Sequence, residues 1–118
     1  MRTYVKSLYI YEINTYSLNY NPMNAMEPIN IINNERQQQF QASVDGEIAY
    51  MEYRLKDDMI VLMHTDVPER FSGKGIATSI AAFAFKYAKE KGLKVKVYCP
   101  FVLTFVKRHP ELSSQLAI

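Results

Sequence analysis

The residues of this chain best equipped for chemistry fall in two short stretches. One is His64-Thr65-Asp66-Val67-Pro68-Glu69-Arg70-Phe71-Ser72-Gly73-Lys74-Gly75-Ile76-Ala77, and the other is Tyr98-Cys99-Pro100-Phe101-Val102. An imidazole exchanges protons near neutral pH, so His64 can act as a general base. Gly73 and Gly75 stand where a helix begins. Glycine lets the backbone turn to positive φ and approach a ligand closely. The first turn of a helix leaves amide hydrogens pointing outward with a partial positive charge behind them. Together these features form a phosphate cradle that needs no particular side chain, with Arg70 and Lys74 adding charge at its rim. Cys99 precedes a proline that suits the first position of a helix, and a helix N-terminus favours negative charge on a nearby thiol.

Each of these residues also has a bland role. His64 ends an apolar strand, in line with Ile60 and Leu62, where a lone histidine can simply be a hydrogen-bonded core residue. Cys99 can act as a small buried hydrophobe. The two glycines can be turn glycines, and His109, before Pro110, reads as a surface residue. Two common phosphate motifs are excluded. A Walker loop needs glycine where Pro68 stands, and a dinucleotide fingerprint needs a third glycine where Gly73-Lys74-Gly75 instead continues Ile76-Ala77-Thr78.

The rest of the composition narrows the setting. The chain has 118 residues, 48% of them hydrophobic and 22% charged, which is one ordinary globular domain. A net charge of +2 argues against a nucleic-acid binder that works by bulk charge. A single cysteine and two distant histidines leave no disulfide within the chain and no metal-ligand spacing. No apolar run reaches the roughly 20 residues needed to cross a bilayer, and no signal-peptide pattern opens the chain. The expectation is a cytoplasmic protein without metal, nucleic acid or membrane partner.

These residues need a scaffold. Residues 1–30 are rich in tyrosine, asparagine and proline and show no clean period, so they read as a flexible extension or an added edge strand. From Glu35 the pattern is regular. Gln37 to Val44 alternates, Asp45-Gly46 is a two-residue hairpin signal, and Glu47 to Leu55 returns as a strand. Met59 to Thr65 is a third, more continuously apolar strand, expected to be central in the sheet. The period then changes. Ile76, Ile80, Phe83, Ala84, Tyr87 and Ala88 recur at steps of three and four, the core face of a helix from about Gly73 to Lys91 that Gly92 stops. Leu93 to Cys99 is a fourth strand, with Val95, Val97 and Cys99 on its apolar side. Pro100 to about Arg108 is a short helix that Pro110 helps to end. The class is α/β: an antiparallel three-strand meander, then helix–strand–helix, giving a mixed sheet with helices packed on it.

The pattern Arg-x-x-Gly-x-Gly-x-small, here Arg70, Gly73, Gly75 and Ala77, resembles the pyrophosphate loop of the GNAT acetyltransferase superfamily. With His64–Pro68 before it and Tyr98–Val102 after it, the chain from about Ile31 to Pro110 is similar to that family's smallest single-domain branch. The resemblance implies acetyl-coenzyme A as cosubstrate, in a cleft between the third and fourth strands. The backbone from His64 through Thr65 to Val67 would follow the pantetheine arm. The amides from Phe71 through Ser72, Gly73 and Lys74 to Gly75, at the entry to Ile76 and Ala77, would hold the pyrophosphate. Lys107 and Arg108 would lie near the 3′-phosphate or in solvent. An amine would be acetylated, with His64 as base and Cys99 either an acetyl-carrying thiol or a pocket wall. The acceptor is a small-molecule or protein amine, and the chain a monomer or weak homodimer. The alternative is a non-catalytic coenzyme A-binding module, because little chain is left over to wall an acceptor pocket.

Overall fold

The computed structural model describes residues 29–117. The expected extension at 1–30 lies outside them, apart from its last residues. The described residues form a five-stranded sheet in the order β1-β2-β3-β4-β5. The strands are β1 (Ile31–Asn34), β2 (Gln39–Val44), β3 (Glu47–Lys56), β4 (Met59–Asp66) and β5 (Lys94–Val97). The first four pair antiparallel in succession, and β5 joins β4 in parallel. Helix α1 (Ile76–Lys91) makes the crossover between β4 and β5, and α2 (Pro100–Arg108) follows β5.

The meander therefore has four strands, not three. The sequence Ile-Ile-Asn-Asn is too short and too polar at its end to show a period, but it pairs with Ala42–Gln39 across a turn at Glu35–Gln38. That turn delays the next strand from Gln37 to Gln39, and Gln38 adopts φ 57 within it. The Asp45–Gly46 turn joins β2 to β3 as expected, with both residues at positive φ. Helix α1 starts at Ile76 rather than Gly73, because Gly73 and Gly75 lie in the left-handed region. Strand β5 stops at Val97, two residues early. The amides of Tyr98 and Cys99 both turn to the Leu62 carbonyl, at 2.9 and 3.2 Å. Pro110 ends α2 and also opens a 3-10 helix, Pro110–Gln115, whose exit places Leu116 beside Val95.

One face of the sheet carries the core. Phe40, Ala42, Ala49, Met51, Tyr53, Ile60, Leu62 and Val95 are buried there. Cross-strand pairs such as Phe40 with Met51 and Tyr53 with Leu62 share this face. Helix α1 lays Ile76, Ile80, Ala81, Ala84 and Ala88 on it, and each large apolar side chain buried this way contributes about 1.5–3 kcal/mol. Phe83 and Tyr87, at the rim of the predicted stripe, meet Phe40 edge-on at 5.5 and 5.4 Å. Phe85 lies off that stripe, yet it is buried because Phe105 of α2 stacks on it at 6.0 Å.

Tyr53 brings a hydroxyl into this core, where it donates to Asn33 Oδ1 at 2.7 Å. Burial pushes its phenol above the usual value of 10.0. The unfolded chain then releases this proton first as pH rises. The stability Tyr53 contributes is complete below pH 10.0 and is lost as pH climbs through the folded-state value. Urea unfolding should show Tyr53→Phe about 1–2 kcal/mol less stable at pH 7 and less sensitive to alkaline pH. Equal alkaline slopes in the two proteins would contradict this assignment.

Candidate active site

Strand β4 positions the site through an irregularity. Tyr53 faces Leu62, but the next residue back along β3, Glu52, faces His64. Met63 is the extra residue of a β-bulge. Such a bulge shifts side-chain parity by one, so every later residue changes face. His64 therefore leaves the core face of Ile60 and Leu62 and joins the open face with Glu52 and Tyr50. It is exposed, and its ring meets Tyr50 edge-on at 6.2 Å. This corrects the placement inferred from simple alternation. A continuously apolar strand shows no alternation in sequence, so nothing there signalled the bulge.

Thr65 takes the inner face instead, opposite buried Met51. Its Oγ1 lies 3.2 Å from Cys99 Sγ. Cys99 is the residue just before α2 and is 3% exposed. The two candidate catalytic residues consequently stand on opposite faces of β4. The structure brings Cys99 to Thr65, not to His64.

The same stretch opens the sheet. Parallel pairing between β4 and β5 stops at Leu62 with Val97, while β4 runs on to Asp66. Met63 has no partner in the register of either neighbouring strand. Past that point the two strands are unpaired, and the notch is the stretch where the end of β4 meets the start of α2, with Thr65 beside Cys99.

Beyond Val67 and Pro68, both half-buried, a 3-10 turn at Glu69–Phe71 carries the chain to α1. Buried Phe71 and Ile76 anchor the two ends of the loop, while Ser72, Gly73, Lys74 and Gly75 are exposed and Ala77 is half-buried. Three of its amides are used internally: Phe71 donates to Pro68, Ser72 to Glu69 and Lys74 to Phe71. The amides of Gly73, Gly75, Ile76 and Ala77 meet no acceptor among the described residues. At Gly73 (φ 79) and Gly75 (φ 83), a Cβ would meet nothing within 4 Å. The free donors are thus Gly73 and the helix entry, a narrower set than the run from Phe71 to Gly75.

Arg70 does not face this cradle. It ion-pairs with Glu47, reaches the Asp45 carbonyl at 3.5 Å and lies over the Phe71 ring at 4.6 Å. It ties the loop to the β2–β3 hairpin, and an exposed pair of this kind contributes about 0–1 kcal/mol. Lys107 and Arg108 close α2, about 12 Å along the helix from Cys99. Of the meander residues, Glu52 shares the face of His64 and pairs with Arg54 at 2.7 Å, whereas Tyr53 is core. Sequence reading passed over Met63 and Tyr50 and gave Asp66 no separate role, because their placement depends on strand register alone.

Among the described residues, no group of three or more His, Cys, Asp or Glu could hold a metal, and no helix is long and apolar enough to cross a membrane. Comparison with known proteins follows the same lines. The human protein NATD1 is 33% identical over 95 residues, covering 75% of this chain and 84% of the human protein. The bovine NATD1 is 34% identical over 86 residues, covering 70% and 76%. An NMR solution structure of a GCN5-like protein from Staphylococcus aureus superposes with a TM-score of 0.61 at 22% identity, over 78% of this chain and 91% of that one, which shows the fold. The sequence model of the GCN5-related N-acetyl-transferase family matches residues 39–116, which include β2 to β5, the notch and the glycine loop. With its fold, its loop and these matches together, this chain belongs to the GCN5-related N-acetyltransferase family.

Proposed function

We propose that this protein binds acetyl-coenzyme A through the Gly73–Ala77 amides and transfers the acetyl group directly to an amine, with His64 accepting the amine's proton. The observation that carries the reading is the set of unpartnered amides at Gly73, Gly75, Ile76 and Ala77, at a helix N-terminus entered through the exposed residues Ser72 to Gly75. A diphosphate supplies the negative charge and the acceptor oxygens that such a place lacks. When bound, acetyl-coenzyme A supplies the activated acetyl group: the nitrogen–carbon bond forms as the carbon–sulfur bond breaks, and the carrier leaves as a thiol.

The chain's own residues do the rest. The bulge leaves Met63 outside the strand register, at the notch, and in this reading its amide polarises the thioester carbonyl. It also turns the His64 imidazole outward, so the base meets an acceptor arriving from the open face. The proton lost by the amine goes to a ring nitrogen of His64. Cys99 lines the inner wall, its thiol occupied by Thr65. That thiol is buried on the face away from the base, which favours direct transfer over an acetyl-cysteine route.

The test is release of free coenzyme A thiol from acetyl-coenzyme A with a panel of amines, run on wild type and Cys99→Ala. Both proteins should turn over within about threefold of each other, and wild type should carry no acetyl adduct by intact mass. An adduct on Cys99 in wild type, with the variant inactive, would replace direct transfer by the thiol route.

A further inference from the structure

The sheet has one face without a helix. Helix α1 packs on the Phe40–Tyr53 side through Phe83 and Tyr87, and α2 meets α1 there through Phe105 on Phe85, while no described helix is seen on the opposite face. Cross-strand register runs a row over it: Ile32 beside Gln41, Gln41 beside Tyr50, and Tyr50 beside Asp66. The row spans four strands, about 14 Å at the usual strand spacing, and it ends at Asp66, two residues along β4 from His64.

We infer that the acetyl acceptor is a polypeptide, lying across this open face with its amine at His64. The inference rests on the proposed transfer reaction and names its substrate class. Three features support it. The first is shape: a small amine is normally held in a concavity that covers most of its surface, whereas His64 stands on an open strand face. The second is composition. Ile32 and Ile48 leave 50 and 46% of their surface exposed on this face, and Tyr50 stands in the row between Gln41 and Asp66, apolar and aromatic groups of the kind that protein-docking surfaces carry. Between them, Gln41 bonds Gln39 at 2.7 Å and Gln37 at 3.0 Å. Carboxamides both donate and accept, as a peptide backbone does. The third is charge. Glu52 is already matched by Arg54, and exposed Asp66, directly opposite Tyr50, adds a carboxylate at the His64 end of the row. A lysine-like amine is cationic before it reacts and is drawn to that end.

The experiment uses the full chain with acetyl-coenzyme A and compares three acceptors: a degenerate library of lysine-centred peptides, spermidine and free lysine. The library should be turned over with a kcat/KM at least tenfold above either small amine. Ile48→Asp and Ile32→Asp, both on exposed side chains, should lower peptide kcat/KM about tenfold while coenzyme A affinity and the slow small-amine reaction stay unchanged. The inference is overturned if the small amines match the peptides, if both variants keep full peptide turnover, or if coenzyme A binds yet no peptide is acetylated. Absence of coenzyme A binding in wild type is a different failure: it removes the cradle reading itself, and this inference with it.

Discussion

Gly73→Glu should abolish coenzyme A binding at micromolar concentrations, raising Kd by roughly 100-fold or more, which is about 2.7 kcal/mol. Two effects combine. The backbone at Gly73 sits at φ 79, where a residue with a Cβ costs about 1–2 kcal/mol. The added carboxylate puts a negative charge on the same loop as the free amides, where it repels a diphosphate. The fold should survive, because a Cβ at Gly73 meets nothing within 4 Å. Gly73→Ala separates the two effects: it carries the backbone cost without the charge and should weaken binding by only about tenfold. Isothermal titration reads both variants, with urea unfolding as the check on the fold. An unchanged Kd in Gly73→Glu would contradict the loop assignment.

His64→Gln should leave coenzyme A affinity unchanged and cut acetyl transfer by about 100-fold or more, the usual contribution of a positioned general base. The amide cradle does not include the imidazole, so binding and chemistry separate cleanly in this variant. Glutamine keeps a similar size and a hydrogen-bonding end but takes no proton. A kcat within threefold of wild type, at equal coenzyme A affinity, would remove His64 from the reaction and return it to the role of a surface residue opposite Glu52.

Much of this architecture is legible in the chain itself. The alternation of Phe40, Ala42 and Val44 and the Asp45-Gly46 turn define the central hairpin, because one buried face forces a period of two. The step-of-three-and-four pattern from Ile76 to Ala88 defines α1 for the matching reason in a helix. The glycine loop is equally readable, since the backbone needs of a helix entry leave few residue choices at Gly73 and Gly75. The strand Ile31–Asn34 is not readable, because four residues with two asparagines carry no periodic signal and gain their place only by pairing with β2. The bulge at Met63 is hidden for a different reason. The residues before it, Ile60, Val61 and Leu62, are apolar on both faces of the strand, so no alternation marks a one-residue slip. That slip decides which face His64 occupies, and it parts His64 from Cys99. Arg70 shows a third kind of limit: the sequence places a cation beside the loop, but only tertiary structure reveals that Glu47 holds it.

A nitrogen–proton correlation spectrum of the labelled full chain, titrated with coenzyme A, tests the central claim most directly. The largest amide shifts should fall on Gly73, Gly75, Ile76 and Ala77, with smaller shifts along Met63 to Val67. Shifts gathered instead along Phe85, Phe105 and Leu112, the groove between the two helices, with the Gly73–Ala77 amides unmoved, would contradict it.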